Sequence, residues 1–252
     1  MALVKSVVEI QNMRRAGAML ARALAEVSAQ VKEGMQLVEL DRIAHDAIKQ
    51  QGGEPAFLNY QPAGATRGFP ATICASLNDV VVHGVPTRRE LKYGDVLKID
   101  LGTKYQGYYA DAAITISIGK PTPEVQNLIH VTREALQMGI RAAIPGGTLG
   151  DIGYAIESCV RAGKLNVVKG LTGHFIGTEL HEDPSVPNEG RPGKGMKLVP
   201  GMVCAIEPMV SMGSPKVIQQ NDEGYRTSDG SISAHFEHTV LVTENGPEIL
   251  TA

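Results

Sequence analysis

An internal duplication constrains the fold most strongly, because short patterns from the first half of the chain recur in the same order in the second. The matching segments are Glu9–Met13 with Glu124–Leu128, Gly34–Leu40 with Gly146–Ile152, His83–Pro86 with His181–Pro184, and Leu91–Asp100 with Leu198–Glu207. Two such repeats are too few for a solenoid, but they suit a pseudo-twofold domain in which helices cover one face of a shared sheet. The duplication therefore predicts that equivalent positions, Asp100 with Glu207 and His83 with His181, meet in space near the axis.

Helical periodicity predicts a pair of helices in each half of the chain. The predicted helices span residues 7–31, 37–50, 123–142 and 149–162. Together with the strand-like segments between them, they predict an α+β fold. We expect one domain made of two repeat halves, approximately 1–120 and 121–252.

Composition limits the classes of partner that the chain can have. The formal net charge of -3 gives no electrostatic reason to expect nucleic acid or an anionic membrane. The three cysteines, Cys74, Cys159 and Cys204, form no Cys-x-x-Cys pair, which favours a reducing compartment. The N-terminus lacks the apolar stretch of a signal peptide, and no run approaches the ~18 apolar residues of a membrane span. We therefore expect a cytoplasmic protein.

A carboxylate-bearing hairpin is predicted over residues 94–115, with a polar turn that contains Gly107. If the turn centres on Tyr105 and Gln106, Asp100 directly faces Asp111, with Cβ atoms about 4.5–5.5 Å apart. Two opposed carboxylates on a buried hairpin need a cation or a shared proton, and a metal ion compensates them best. From the hairpin alone, the alternative in which one Asp ends a strand and the other is solvated is equally open.

The second half adds histidines and a further carboxylate. His174 and His181 lie between a glycine-containing and a proline-containing turn, where a lone histidine more often has only a structural part. Glu207 follows the apolar run 202–206, and a carboxylate there needs partners because burying an unpaired charge is costly.

Residues 233–242 are predicted to form one strand, in which Glu237 shares a face with His235 and Thr239. A solvated edge strand would explain this pattern equally simply. Combined with the other carboxylates and histidines, however, the set is rich in oxygen ligands and suits Mn, Fe, Co or Zn better than a closed structural zinc site. Bridging carboxylates further indicate two ions about 3.5–4 Å apart.

The order and spacing of these residues resemble those of the bacterial type I methionine aminopeptidases. The residues that carry the resemblance are Asp100, Asp111, His174, Glu207 and Glu237. Supporting stretches are Ser76–Pro86, Gly94–Asp111, Gly173–His174, His181–Pro184, Ile206–Met209 and Glu237–Thr239. The resemblance covers essentially the whole chain. It implies the pita-bread fold, in which pseudo-twofold halves place helices over a curved, mostly antiparallel sheet in a single catalytic domain.

The resemblance also implies a mechanism and a set of residue roles. The five residues above would bind two divalent ions, with Asp111 and Glu237 bridging them, and a metal-activated water would remove the N-terminal methionine, preferably before a small second residue. Glu207 would carry protons, His181 would stabilise the oxyanion, and His83 would lie near the leaving amine. The implied substrates are the N-termini of nascent polypeptides near the ribosome, and the implied state is a monomer.

Candidate residues for a methionine-binding pocket are selected by their position in the sequence, although apolar and aromatic residues more often belong only to the hydrophobic core. The candidates are Phe57, Tyr60, Phe69, Cys74 and Tyr225. A thioether packs favourably against aromatic edges and a soft thiol, which gives the set a physical basis.

Several positions depart from the family pattern. Phe175 stands where a glycine is usual, so its ring must fit beside the site or reshape it. His235 stands where a glutamine is usual, and it could support a ligand or act as an additional ligand. Leu180 replaces an aromatic residue, and the loop 61–68 is longer than expected beside the pocket.

Two alternatives share the fold. Prolidases and Xaa-Pro aminopeptidases use the same ligand logic, but they usually carry an additional N-terminal domain, and the Glu237–Thr239 stretch favours the methionine enzyme. Non-catalytic binding modules of this fold have lost metal ligands, whereas this chain retains all five. Type II methionine aminopeptidases usually insert a long helical segment between the positions of His181 and Glu207, and the short connection here favours type I.

Overall fold

Four helices carry the apolar periodicity of the sequence. The structure is a computed structural model that describes residues 3–61, 67–219 and 224–252. The helices are α1 (Val7–Gln30), α2 (Leu37–Gln50), α3 (Pro123–Ala142) and α4 (Leu149–Ala162). The predicted helices are confirmed, with α1 ending one residue earlier than expected. No helix in these three ranges is long and apolar enough to cross a membrane.

Local capping explains why three of the helices begin where they do. Ser6 precedes α1, and its backbone N–H donates to the Glu9 carboxylate at 2.7 Å while its side chain accepts from the Glu9 N–H. Thr148 and Asp151 form the same reciprocal box at the start of α4. Thr122 caps α3. These contacts satisfy backbone donors that have no partner inside a helix.

Each helix pair packs on its own apolar cluster. Leu40 of α2 belongs to a buried cluster with Ile99, and Ile156 of α4 belongs to another with Ile206. All four side chains are essentially inaccessible to solvent. The division into repeat halves near residue 120 stays a prediction.

Antiparallel strands, most of them short, are the other regular elements of the described chain. They are β1 (Glu54–Pro55), β2 (Ile73–Leu77), β3 (Val80–Val82), β4 (Val96–Tyr105), β5 (Tyr108–Ser117), β6 (Asn166–Val167), β7 (Gly173–Phe175), β8 (Glu182–Val186), β9 (Val203–Ile206), β10 (Met209–Ser211), β11 (Val217–Gln219), β12 (Tyr225–Thr227), β13 (Ser233–His235), β14 (His238–Thr243) and β15 (Gly246–Ile249). One sheet has the order β1-β4-β2 with β5 on β4, and another has the order β15-β14-β9-β7-β8. Two smaller sheets follow the orders β13-β10-β6 and β11-β12-β3.

A seam of hydrogen bonds joins the two larger sheets. The N–H of Glu237 donates to the carbonyl of Ala113 at 3.0 Å, and the N–H of Ala113 donates back at 3.4 Å. The Thr239 hydroxyl accepts from the Asp111 N–H at 2.9 Å and donates to the Asp111 carbonyl at 2.8 Å. The backbones of Asp111 and Glu237 are therefore held by partners on the opposite side of this seam.

The register of the β4–β5 hairpin differs from the predicted one. Asp100 pairs with Ala113, and Asp111 pairs with Gly102, so the expected direct opposition of the two carboxylates was wrong. The turn centres instead on Gln106 and Gly107, with φ of 50° and 84°. A two-residue hairpin turn of this kind needs positive φ at both central positions, and glycine adopts it without steric cost. Asp111 lies opposite Gly102, and Gly102 is two residues from Asp100 on β4. Because residues two apart on a strand point to the same face, Asp100 and Asp111 still share a face of the hairpin.

The predicted single strand over 233–242 was also wrong. Strand β13 ends at His235 and pairs with β10, whereas β14 begins at His238 and pairs with β9. The chain passes from one sheet to the other at Glu237, where it bonds across the seam. The break is a tertiary effect that the local alternation of the sequence does not reveal.

Candidate metal centre

The structure brings all five predicted metal ligands to one cavity of about 390 Å³. Asp100 lies on β4, Asp111 on β5, His174 on β7, Glu207 directly after β9, and Glu237 between β13 and β14. Nε2 of His174 lies 3.6 Å from Oε1 of Glu207 and 3.9 Å from Oδ2 of Asp111. Side chains that are far apart in the sequence therefore lie within a few ångströms of one another.

Several carboxylate oxygens in this cavity are buried without a partner. Oδ1 of Asp100, Oδ1 of Asp111 and Oε1 of Glu237 have no hydrogen-bond partner within the described part of the chain. The Asp111 and Glu237 residues are only 3% and 2% exposed. An unsatisfied buried polar group costs about 1–3 kcal/mol, and a charged one costs more. The donor set therefore fits a divalent cation, which would bind the free oxygens and compensate their charge.

The pKa values reflect the same electrostatic conflict. Burial raises the pKa of Asp100 to about 6 and that of Glu207 to about 7. Burial, and then repulsion from neighbouring carboxylates, raises the pKa of Asp111 and of Glu237 well above their ordinary values. Protons and a bound cation are alternative ways to remove the repulsion, so they compete for this site.

His174 is oriented by its own strand. Its Nδ1 donates to the carbonyl oxygen of Phe175 at 2.9 Å, which leaves Nε2 available beside the carboxylates. The Phe175 ring is fully buried in the apolar cluster of α3 and α4 and does not line the cavity. Successive strand residues point to opposite faces. The expectation that this ring must fit beside the site or reshape it was therefore wrong.

His83 and His181 line the same cavity, as do Asp100 and Glu207, in agreement with the pairings that the duplication predicts. Nδ1 of His181 lies 3.0 Å from the Tyr60 hydroxyl. Burial, and then the neighbouring His174 and His83, lower the pKa of His181 to about 3. His181 is therefore neutral at ordinary pH.

The loop that carries His181 is fixed by a buried ion pair. Nζ of Lys5 lies 2.6 Å from Oε2 of Glu182, and both side chains are 3% exposed. Oε1 of Glu182 accepts the backbone N–H of Thr178 at 2.9 Å. Glu182 therefore ties the N-terminal segment to the turn on which His181 lies.

We expect Lys5→Met to lower the free energy of unfolding by about 3–5 kcal/mol, because it leaves the Glu182 carboxylate buried without its cation. Arg14→Met is the matched control. It breaks the exposed pair of Arg14 with Glu248, which is worth only about 0–1 kcal/mol. Urea unfolding of both variants measures the difference. Equal losses for the two variants would contradict a structural part for the buried pair.

Four of the five predicted methionine-pocket residues line the cavity. They are Phe57, Tyr60, Phe69 and Cys74. Tyr225 is not among the lining residues, and its ring instead packs edge-on against the His83 ring at 5.8 Å. The predicted long loop 61–68 falls mostly on residues 62–66, which lie outside the described residues.

Several lining residues were missed by sequence reasoning. They include Val82, Leu171, Thr172 and Met209. Leu180, which departs from the family pattern, also lines the cavity as a buried apolar side chain. Thr172 and Met209 each lie two residues from a predicted ligand, and this proximity is the signal that could have identified them.

A buried lysine near the ligands was also missed. Lys98 is 1% exposed, and its ammonium donates to the Asn78 carbonyl at 2.7 Å. Burial lowers its pKa to about 7. Its spacing of two residues from Asp100 on β4 places it on the same face of the strand. Strand alternation could therefore have identified Lys98 as a residue on the same face as Asp100.

His235, which stands where the family usually has a glutamine, lies against the carboxylates of the metal centre. Nε2 of His235 is 3.3 Å from Oε2 of Glu207 and 4.0 Å from Oε2 of Glu237. Burial lowers the pKa of His235 to about 4, so the ring is neutral.

Comparison with known proteins places the chain among metallopeptidases. Residues 11–244 match the family described as metallopeptidase family M24. A methionine aminopeptidase of Clostridium acetobutylicum is 45% identical over 253 residues, which cover 100% of this chain and 99% of the relative. Methionine aminopeptidase 1 of Mycobacterium tuberculosis is 44% identical over 255 residues, with 98% and 94% covered.

Solved structures agree with these relatives. The crystal structure of methionine aminopeptidase from Rickettsia prowazekii superposes with a TM-score of 0.95 at 37% identity, covering 100% of both chains. Prolidase from Pyrococcus furiosus has a TM-score of 0.79 at 24% identity, covering 99% of this chain and 65% of the prolidase. The prolidase similarity concerns the fold alone.

Proposed function

The chain belongs to metallopeptidase family M24, and we propose that it removes the N-terminal methionine from polypeptides, preferring those with a small second residue. The relatives confirm the expected family, the pita-bread α+β fold and the class of enzyme. One observation carries the proposal from the chain's own residues. Buried carboxylate oxygens that have no partner among the described residues adjoin a cavity with an apolar and aromatic wall, which suits metal-dependent cleavage beside an apolar side chain.

The family is metal-dependent, and we propose two divalent ions drawn from Co, Mn, Fe and Zn. Asp100, Asp111, His174, Glu207 and Glu237 would hold them, with Asp111 and Glu237 as the proposed shared ligands. The ions would supply a nucleophile at neutral pH by lowering the pKa of water. The unpartnered oxygens of Asp100, Asp111 and Glu237 support this assignment.

The protein's own groups would position the peptide and transfer protons. Glu207 would take and return a proton, because its carboxylate lines the cavity 3.6 Å from Nε2 of His174. The Tyr60 hydroxyl can donate to Nδ1 of His181, so that Nε2 carries the ring proton. A neutral donor there would stabilise negative charge that develops on the peptide carbonyl. His83, on the same cavity, would lie near the leaving amine.

The methionine side chain would occupy the wall formed by Phe57, Tyr60, Phe69 and Cys74. Gly102 supports this wall, since a Cβ atom at this position would lie 2.7 Å from a ring carbon of Phe57. The Phe57 ring therefore packs directly on the hairpin that carries the first two carboxylates. A thioether against aromatic edges is a favourable contact.

The setting of the enzyme is also a proposal. Substrates would be N-termini of nascent polypeptides near the ribosome, and the protein would act as a cytoplasmic monomer. The three cysteines are free, which supports a reducing compartment. The small net charge gives no reason for binding nucleic acid or a membrane surface.

Cleavage of two peptides tests the proposed activity. We expect metal-restored protein to release methionine from Met-Ala-Ser, and metal-free protein to release none. Ala-Pro serves as the prolidase substrate under the same conditions and should stay intact. Cleavage of Ala-Pro alone, or methionine release that survives complete removal of metal, would overturn the proposal.

Metal affinity should rise with pH between about 6 and 8. Glu207 has a pKa of about 7, so it holds a proton at the lower end of this range and must lose it to bind a cation. Burial and repulsion raise the pKa of Asp111 and of Glu237, which acts in the same direction. Titration calorimetry in buffers of different ionisation enthalpy measures the protons released. At pH 6.5 we expect about one proton or more per ion. Affinity that stays constant across this range would contradict the raised pKa values.

A further inference from the structure

His235 is buried at the metal centre with both ring nitrogens unpartnered among residues 3–61, 67–219 and 224–252. The residue is 1% exposed. Its Nε2 lies 3.3 Å from Oε2 of Glu207, but the contact lacks the alignment that a hydrogen bond requires. Each unsatisfied nitrogen costs about 1–3 kcal/mol. The ring therefore needs a partner other than the carboxylate oxygen itself.

The spacing around Nε2 fits a cation between the side chains. Ligand atoms about 2.1 Å from one ion lie about 3.0 Å apart at right angles and about 4.2 Å apart when opposite. The distances from Nε2 to Glu207 and Glu237, 3.3 and 4.0 Å, fall within this range. One ligand atom each from Glu207, His235 and Glu237 can be chosen so that all lie within 4.8 Å of one another.

The backbone holds His235 in place without help from an ion. Its N–H donates to Oγ1 of Thr115 at 2.9 Å, and the Thr115 hydroxyl donates to its carbonyl oxygen at 2.6 Å. On the other side it pairs with Met209 in the β10–β13 ladder. The backbone from which the ring projects is therefore preorganised, as an effective metal ligand requires.

We propose that His235 is a sixth protein ligand of the metal centre and binds an ion together with Glu207 and Glu237. The inference rests on the proposed metal-dependent function and deepens it. His174 lies 3.6 Å from Oε1 of Glu207, so one imidazole flanks each oxygen of this carboxylate. A second imidazole makes the centre richer in nitrogen, which favours Zn, Co or Fe over Mn.

X-ray absorption of zinc-loaded protein tests the proposal. Wild-type protein with two zinc ions should show scattering from two imidazoles, and His235→Gln should show scattering from one. Glutamine keeps a side-chain N–H that can donate to Glu207, but it is a poor ligand, so this substitution separates ligation from hydrogen bonding. We expect the affinity for one zinc ion to fall at least tenfold, since losing even an outer partner of a ligand costs about 10–100-fold.

His130→Gln is the matched control, because His130 is exposed on α3, and it should leave both scattering and affinity unchanged. Should His235→Gln fail to fold, His235→Leu fills much of the same space and has no donor atom. Equal imidazole scattering and equal zinc affinity in wild-type and substituted protein would overturn the inference, even while wild-type protein releases methionine. Wild-type protein that neither binds zinc nor releases methionine would instead refute the proposed function.

Discussion

Glu237→Gln should bind divalent ions at least a hundredfold more weakly than the parent protein and should lose methionine release to background. Glutamine has nearly the same shape, so the change removes the charge of one proposed bridging ligand while preserving packing. Outer partners of a ligand already contribute about 10–100-fold in metal affinity, and a bridging ligand contributes to both ions. Titration calorimetry gives the affinities, and cleavage of Met-Ala-Ser gives the activity.

Glu244→Gln is the matched control, because Glu244 is exposed in the turn between β14 and β15. We expect it to retain full metal affinity and activity. The Glu237 variant should also be at least as stable as the parent when metal is absent, because it removes one member of a repelling carboxylate group. Retained metal binding by Glu237→Gln would exclude Glu237 as a bridging ligand.

His181→Phe should lower kcat about 10²–10³-fold while leaving metal affinity unchanged. The substitution keeps an aromatic ring beside the His174 ring, whose centroid lies 4.5 Å away, but it removes the proposed donor to the oxyanion. A single such donor is worth about 2.7–4 kcal/mol in the transition state. Steady-state kinetics with metal-saturated protein measures the loss.

The pH dependence of kcat distinguishes the proposed oxyanion-stabilising role of His181 from a role in acid–base catalysis. With a pKa of about 3, His181 stays neutral across the working range, so the loss in kcat should be the same from pH 6 to 9. A loss that varies with pH near 6.5 would indicate that the ring titrates during turnover. His130→Phe on the surface of α3 should leave kcat unchanged at every pH.

Structural features that depend on neighbouring residues in the sequence, such as the helix starts, were predictable. Features that depend on tertiary contacts or on unusual backbone conformations were not. The capping residues Ser6, Thr122 and Thr148 act within one helical turn, so the helix starts could be read directly. The hairpin register depended on which two residues adopt positive φ. Gln106 does so without being glycine, and local pattern gives little warning of that.

The same distinction applies within the candidate site. The ligand set could be proposed because chemically reactive side chains stand at strand ends in a recognisable order. The break in the strand after His235 could not be predicted, because it is caused by the crossing of the chain from one sheet to another at Glu237. Tyr225 was placed in the pocket by its position along the chain, but contact with the His83 ring gives it a different place.

The seam between the larger sheets has a consequence for incomplete chains. Asp111 and Glu237 exchange backbone and hydroxyl contacts across it, and Glu237 is the last of the proposed ligands along the sequence. A truncated product that stops before Glu237 would lack both a ligand and the backbone hydrogen bonds to Ala113. Such a product could fold its first helices and still be unable to hydrolyse a peptide. Activity would therefore appear only after nearly the whole chain has been synthesised and the two sheets have joined.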